Sequence, residues 1–140
     1  MAVTYPTLED QKGWLRIRIT GIAAAAGSAG GVANPEGVPI FITAAKIHLI
    51  TPAAAAATAN IGVGASVVGD YSDLVAGWPM NGGADTWWEV LTGVASEAAL
   101  TTPSGLAWSA ANFLTVTTAA AASPAFVGDL YLQYVRNEVA

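Results

Sequence analysis

The chain has 140 residues, no cysteine and a formal net charge of -5, from ten acidic and five basic residues. This length suits one domain that buries its own core. The absence of cysteine excludes disulfides, thiolate zinc sites and thiol nucleophiles, and the acidic balance opposes binding of free nucleic acid, whose phosphates require a basic surface.

The composition is poor in charge, with 11% charged and 54% hydrophobic residues, many of the latter alanine. An ordinary soluble domain has about 25% charged residues. Two explanations stay open: other chains cover parts of the surface, or a compositional bias has filled the chain with small residues.

No membrane-spanning or secretory segment is predicted. The most apolar region, residues 38–57, is interrupted by Lys46, His48 and Pro52, whereas a span needs about 20 mostly apolar residues. Residues 1–11 have neither the basic nor the apolar region of a signal peptide. We therefore expect a protein that is made in a cytoplasm and has no membrane partner.

The chain begins with a predicted arm and a predicted strand. Residues 1–12 are polar and interrupted by Pro6, which indicates an extended N-terminal arm. In residues 13–21, GWLRIRITG, apolar and polar side chains alternate, which predicts a strand. One face of this strand carries Leu15, Ile17 and Ile19, and the other carries Trp14, Arg16, Arg18 and Thr20.

The next segment is rich in glycine and small residues. Residues 22–39 contain the turn signal Asn34-Pro35 and are predicted to be a long, mobile connection. A second β-rich run follows over residues 39–51, with Ile47 and Leu49 on a shared face.

Five alanines at 53–57 separate this run from another alternating stretch, residues 59–65. Alanine is the best helix former, but a helix this short is far below the roughly 12–15 residues that independent stability requires. Pro52 also prevents an earlier helix start. We therefore predict a hairpin whose alanine tip contains at most one helical turn.

Two further features complete the β pattern. Gly62 and Gly64 share a strand face, which often marks a bulge or a close approach by another part of the chain. Residues 112–118 and 130–135 flank an alanine-rich loop and are predicted to form a closing hairpin. Several short strands separated by Gly, Pro and Ala turns predict an antiparallel sandwich or barrel.

The middle of the chain allows two interpretations. Residues 81–83, Asn-Gly-Gly, predict a turn. Residues 86–89, Thr-Trp-Trp-Glu, match a capping box that could open a helix. The aromatic and β-branched residues and Gly93 favour a strand over residues 86–92 instead.

No group of residues predicts catalysis, a cofactor or a metal. His48 is the single histidine, which excludes a multi-histidine metal site and favours an exposed or interface position on a strand. Asp70 and Asp73 lack the alternating ligands of a calcium loop, so we expect a solvated turn with Asp70 as a cap. Asp85 and Glu89 could be offered as the two carboxylates of a glycosidase, but nothing beyond their residue types supports this assignment. We predict that the protein is not an enzyme.

The tryptophans carry more information, because five are many for a chain of this size. Trp87 and Trp88 are adjacent, so a strand directs them to opposite faces and only one can enter the core. An exposed tryptophan suits a protein interface and equally suits stacking on a sugar ring. With the positive patch that Lys12 and two arginines form on the first strand, the interface candidates are Trp14, Arg16, Arg18, Trp78, Trp87 and Trp88.

From residue 45 to its end, the chain resembles the jelly-roll subunits of tailed-bacteriophage virions, particularly head-decoration and head-fibre proteins. Residues 45–65 resemble the paired strands with a small-residue tip and a strand that ends in glycine. Residues 67–80 resemble the following segment, in which aspartates and a leucine lead into a long connection. Residues 112–135 resemble the closing hairpin, with its threonine-rich strand and its terminal strand ending in an aromatic residue and valine.

The resemblance implies a jelly roll or related antiparallel β-sandwich over residues 13–140, preceded by the arm over residues 1–12. It implies a structural virion protein that binds and stabilises the outer surface of a phage head as a homotrimer, with the major capsid protein or other virion proteins as partners. It implies assembly in the host cytoplasm and no cofactor. The alternative is a carbohydrate-binding or host-recognition domain of a phage fibre or baseplate.

Overall fold

The structure, a computed structural model, describes residues 12–22, 27–90, 105–120 and 123–136. Within these ranges the chain forms strands and no helix, and none of it could cross a membrane as a helix. The strands are β1 (Lys12–Ile22), β2 (Gly27–Ala33), β3 (Ile40–Thr51), β4 (Ala57–Gly64), β5 (Val75–Pro79), β6 (Thr86–Val90), β7 (Leu106–Trp108), β8 (Phe113–Ala120) and β9 (Ser123–Arg136).

The strands form two antiparallel sheets. Sheet I has the order β1-β9-β3-β6, with the short β7 also paired to β3, and sheet II has the order β2-β8-β4-β5. With β7 set aside, four strands lie in each sheet, and most steps along the chain cross from one sheet to the other. This is the strand order of a jelly roll, in which two Greek keys are wrapped into a double sheet. The predicted fold class is therefore confirmed.

The core lies between the inner faces of the two sheets. Sheet I contributes Ile47, Leu49 and Leu130, and sheet II contributes Ile61 and Leu114, all buried. Trp78 of β5 meets Phe126 of β9 edge to face across the core, with ring centroids 5.8 Å apart. These contacts join the sheets because apolar side chains recur at every second position of each strand.

The alternation in β1 and β3 places their side chains as predicted. Leu15, Ile17 and Ile19 point inward, and Arg16, Arg18 and Thr20 point outward. In β3 the inward positions shift from even to odd numbers, because a register irregularity lies between Ile42 and Ala44. Such a bulge re-aims the side chains that follow it.

The two predicted hairpins are wrong. β3 and β4, on either side of the alanine loop, lie in different sheets, and so do β8 and β9 at the end of the chain. Each of these pairs of successive strands therefore belongs to two different sheets and is not a pair of hydrogen-bonded neighbours. Alternation shows which side chains of a strand are buried. It does not show whether the next strand of the chain pairs with that strand in the same sheet or lies opposite it in the other sheet. Residues 52–56 contain no helical turn.

The predicted mobile connection over residues 22–39 is also wrong in part, because it contains β2, which pairs with β8. Small side chains concealed this strand, since its backbone hydrogen bonds do not require apolar alternation. Gly30 has φ 126 at a register irregularity, a conformation that favours glycine.

In the middle of the chain, β6 confirms the strand interpretation for residues 86–90, and the turn at residues 81–83 is present. Residues 91 and 92 lie outside the described ranges. The same holds for residues 1–11 of the predicted arm, whereas Lys12 belongs to β1.

Candidate functional site

The outer face of sheet I carries a group of charged and aromatic side chains. All five basic residues of the chain lie on strands of this sheet. Cross-strand register places the outward residues in three adjacent rows, namely Trp14, Gln133 and Ala44; then Arg16, Tyr131, Lys46 and Glu89; then Arg18, Asp129, His48 and Trp87. We call this surface the aromatic face.

Trp87 is held in a defined orientation although its side chain projects from the sheet. Its ring stacks on His48, the neighbour across β3 and β6, with centroids 4.0 Å apart and planes 6° from parallel. It also stacks against Tyr131 of β9, with centroids 5.7 Å apart. The His48 Nε2 lies 2.7 Å from the Asp85 Oδ1, which fixes the imidazole from the opposite side.

A depression of about 470 Å³ lies between the two exposed tryptophans of the aromatic face. Trp14 is 72% exposed and Trp87 is 57% exposed. The lining consists of Trp14, Ala44, Ala45, Lys46, Trp87, Tyr131 and Gln133. The small side chain of Ala44 leaves the space that the aromatic rings surround, and Ala45, whose side chain points into the core, adds no bulk on this face.

Asp129 forms a charged anchor beneath the aromatic face. Its residue surface is only 1% exposed, and its two carboxylate oxygens accept hydrogen bonds from Nε and Nη2 of Arg18, both 2.9 Å long. These bonds lower the pKa of Asp129 against the opposing effect of its burial, and they raise the pKa of Arg18. Tyr131 completes the group, with its hydroxyl 3.5 Å from Asp129 Oδ2.

The electrostatic character of the depression is positive. Among the residues that the structure describes, Lys46 is the charged side chain in the lining, and no carboxylate of these residues lines the depression. Arg16 lies in the row of Lys46, on the other side of Tyr131. Glu89 is the register partner of Lys46 on β6 but lies outside the lining. Because Asp129 neutralises Arg18, Lys46 and Arg16 supply the positive charge available to a ligand.

The outer face of sheet II is covered by the chain itself. The segment of residues 65–74, between β4 and β5, crosses this face, and the Gly69 carbonyl accepts hydrogen bonds from the hydroxyls of Thr115 and Thr117. The Tyr71 ring lies against Gly64, where a Cβ atom would collide with it. As a result Thr115 is 0% exposed on the outer side of a sheet.

The interface candidates from the sequence separate into two groups. Trp14, Arg16, Arg18 and Trp87 lie together on the aromatic face, and Trp87 and Trp88 point to opposite sides as predicted. Trp88 points inward and packs against the core while half-buried.

Trp78 is fully buried, so it cannot contact a partner of the folded chain, and its assignment as an interface residue is wrong. It lies opposite Ala59 on the inner face of sheet II. Composition alone could not separate this core tryptophan from the exposed ones.

Tyr131, Gln133 and Asp129 are site residues that the sequence reasoning missed. Their alternation with Leu130 and Leu132 was visible and places them outward, but their position beside Trp14 depends on β9 lying between β1 and β3. In the loop, Asp73 rather than Asp70 caps the backbone, because its Oδ1 accepts the Val63 N–H at 2.8 Å. Asp70 instead accepts a hydrogen bond from the Asn60 side chain.

The chemistry of this face is that of recognition. Its aromatic rings, ammonium and guanidinium groups can stack on and pair with a ligand, and its one imidazole is occupied by stacking on Trp87 and by Asp85. In the described ranges no three His, Asp or Glu residues are placed to hold a metal ion.

Comparison of the chain with protein-family models, with curated proteins and with solved structures finds no match.

Proposed function

We propose that this chain is a structural virion protein of a tailed bacteriophage, a capsid decoration protein that binds and stabilises the outer surface of the head. The sequence resemblance described above suggests this role. The chain acts by being held in place rather than by converting a substrate.

The observation that carries the proposal is the strand order, β1-β9-β3-β6 facing β2-β8-β4-β5. The resemblance implied a jelly roll, but the local sequence patterns predicted hairpins that this order does not contain. Jelly rolls recur in viral capsid and lectin domains, so the order supports a virion role without relying on the patterns that suggested it.

Attachment to the head would use the arm and the association of three copies. The arm, residues 1–12, would contribute contacts that form only on docking, and trimers at local threefold positions would clamp neighbouring capsid subunits. Burial of apolar and aromatic area would supply the free energy, as in other specific interfaces of about 800 Å² on each partner.

Co-sedimentation with purified expanded capsids tests this role. We expect the full chain to sediment with capsids and a chain without residues 1–11 to bind more weakly, while both have the same far-ultraviolet circular dichroism. Lys12 is retained because it pairs with Val135 in sheet I. A chain without residues 137–140 is the matched control. Failure of the full chain to bind any capsid would contradict the proposal.

Light scattering tests the trimer separately. We expect the mass of three chains at micromolar concentration, and a monomer under these conditions would remove the trimer from the proposal while leaving capsid binding to its own test.

A second candidate is a host-recognition domain of a fibre or baseplate that binds carbohydrate. The depression between Trp14 and Trp87 favours it, because a concave site with aromatic walls suits a ring-shaped ligand. The two candidates differ in a simple experiment. A decoration protein sediments with empty capsids, whereas a fibre or baseplate domain does not and binds host-surface glycans.

A further inference from the structure

We propose that the depression on the aromatic face binds an acidic sugar, a pyranose ring that carries a carboxylate, as one residue of an anionic polysaccharide. This inference goes beyond the structural role and does not depend on the position of the protein in the virion.

The shape of the site suits a ring more than a flat protein surface. Its volume of about 470 Å³ lies within the roughly 300–1,000 Å³ that is usual for sites of small ligands. Trp14, Trp87 and Tyr131 supply aromatic surface around it, and the small side chain of Ala44 leaves the centre unfilled. One side of a pyranose consists of C–H groups, which pack against aromatic rings.

Two of the aromatic walls, Trp87 and Tyr131, are oriented before any ligand binds. The parallel stack on His48 and the contact with Tyr131 restrain Trp87, while Asp129 holds Arg18 at the neighbouring row and approaches the Tyr131 hydroxyl. A binding site that is ordered in advance loses less conformational entropy when its ligand arrives.

The charge of the lining selects an acidic sugar over a neutral one. The Lys46 ammonium lines the depression and has no ion-pair partner among the residues that the structure describes. Arg16 reinforces it from the other side of Tyr131, and Glu89, the carboxylate nearest in register, lies outside the lining. The Gln133 amide can donate to and accept from ring hydroxyls.

The rest of the chain strengthens this selectivity. The net charge is -5, whereas Arg16, Arg18 and Lys46 lie together on the aromatic face. This local positive charge in an otherwise acidic protein favours the approach of an anionic polymer to this face.

Three polymers separate the contributions of ring and charge. Polygalacturonate has acidic pyranose rings, dextran has neutral rings, and polyglutamate has carboxylates without rings. Binding is followed by tryptophan fluorescence and by protection from acrylamide quenching. Trp78 and Trp108 are fully buried and Trp88 packs against the core, so we expect the change in signal to come from the exposed Trp14 and Trp87. We expect a response to polygalacturonate that is at least about tenfold stronger than to the other two, a difference of about 1.4 kcal/mol.

Variants assign the response to the depression. We expect Trp14→Ala and Trp87→Ala each to weaken polygalacturonate binding about tenfold, and Lys46→Gln to weaken it about fivefold at low salt. Val68→Ala is the control for the tryptophans, because Val68 is 69% exposed on the loop over sheet II. Arg136→Gln is the control for the charge, because it removes one positive charge at a residue paired with Glu36 away from the depression.

Several outcomes would overturn the inference. Equal binding of dextran with no effect of Lys46→Gln would make the site one for neutral sugars, and equal binding of polyglutamate would make it a nonspecific cationic surface. Polysialic acid is the second acidic probe, and no response to either acidic polymer at millimolar sugar concentration refutes the site. If the tryptophan variants then also lose capsid binding, the aromatic face is a protein-docking surface, and the proposed virion function survives without the sugar site.

Discussion

The outer face of sheet II is covered by residues 65–74 of its own chain, whereas the outer face of sheet I is open to solvent. The covered face presents small and hydroxyl side chains, such as Gly62, Gly64 and Thr115, on which the loop lies. The open face presents tryptophan, tyrosine and arginine, with Trp14 72% exposed. With β7 set aside, both faces belong to four-stranded antiparallel sheets of one domain. The strand arrangement alone therefore does not determine which face is covered and which is exposed.

This contrast shows how side-chain size separates a face that the fold covers from a face that it leaves exposed. Glycine and threonine let a loop approach the backbone and bond to it, and that free energy contributes to folding. Large rings left exposed contribute little to folding, since their apolar area is removed from water only when a ligand covers it. The four predictions below test this division, from the largest expected effect on stability to the smallest.

Gly62→Ala should have the largest effect, because it places a methyl group where the loop meets sheet II. A Cβ at Gly62 would collide with Asp73 Oδ1 and with the backbone of Tyr71. The loop must shift and the Asp73 bond to the Val63 N–H is strained, so we expect the free energy of unfolding to fall by about 3 kcal/mol. Urea denaturation measures the change.

Gly83→Ala is the matched control for this substitution. Its Cβ would meet Thr86 at 3.4 Å, an ordinary contact, so we expect a change within about 0.5 kcal/mol. If Gly62→Ala proves equally harmless, the loop does not need the glycine, and the account of the covered face is wrong.

Asp129→Asn tests the anchor beneath the open face. The amide can no longer accept both Arg18 bonds as a carboxylate does, and we expect a loss of about 2 kcal/mol at neutral pH. Asp85→Asn, on the exposed carboxylate beside His48, is the control and should change stability by less than about 0.5 kcal/mol.

The pH dependence of stability gives the same pair a second readout. Because the folded-state pKa of Asp129 is lowered from 3.8, its contribution is present above about pH 3.8 and is lost as pH falls through the lowered value. Asp129→Asn should therefore flatten the acid limb of the stability profile. An acid limb as steep as that of the unchanged protein would show that the carboxylate is not stabilised by Arg18.

The sequence predicted the faces of individual strands better than their partners. Alternation in β1 correctly placed Trp14 opposite the apolar face, and in β6 it correctly placed Trp87 and Trp88 on opposite faces without showing which of them is exposed. It could not show that β9 and β3 would lie between these two strands, because the side-chain period is the same for every possible neighbour. The depression depends on that sheet order, so its existence could not be predicted from the chain alone.

Two kinds of segment escaped sequence reasoning for different physical reasons. β2 has almost no apolar alternation, and its backbone pairing with β8 makes it a strand. Trp78 was assigned to an interface because a stretch as short as residues 75–79 does not show which side chains are exposed. In the structure Trp78 is buried in the core, where its ring packs against Phe126. A local sequence pattern predicts an element whose structure its own side chains determine. It fails for an element whose structure depends on backbone pairing or packing with distant parts of the chain.

Tyr134→Phe should lower the free energy of unfolding by less than Asp129→Asn does. It tests a buried side chain on the inner side of sheet I, beneath the open face. The Tyr134 hydroxyl donates to Glu36 Oε1 at 2.6 Å, and its ring lies against Gly13, next to Trp14. Removing this hydrogen bond to a carboxylate should lower the free energy of unfolding by about 1 kcal/mol at neutral pH, as urea denaturation would measure.

Alkaline titration sharpens that result. Burial, followed by the bond to Glu36, raises the pKa of Tyr134 to about 12 from 10.0. A raised folded-state pKa gives stability that is complete below about pH 10 and is lost as pH rises toward 12. Tyr134→Phe should remove this part of the alkaline decline, and an unchanged decline would show that another group causes it.

Trp14→Ala should have the smallest effect on stability and therefore tests the division between the faces most directly. Trp14 is 72% exposed at the edge strand of sheet I, so its removal should change the free energy of unfolding by less than about 0.5 kcal/mol. Tyr71→Ala removes a smaller ring from the covered face and should lower that free energy by about 2 kcal/mol, because the ring packs against Gly64 and Gly69. Thermal and urea unfolding of both variants measure the difference. Comparable losses of unfolding free energy would mean that Trp14 contributes to folding. Its exposure would then no longer indicate a surface that is left open for a ligand.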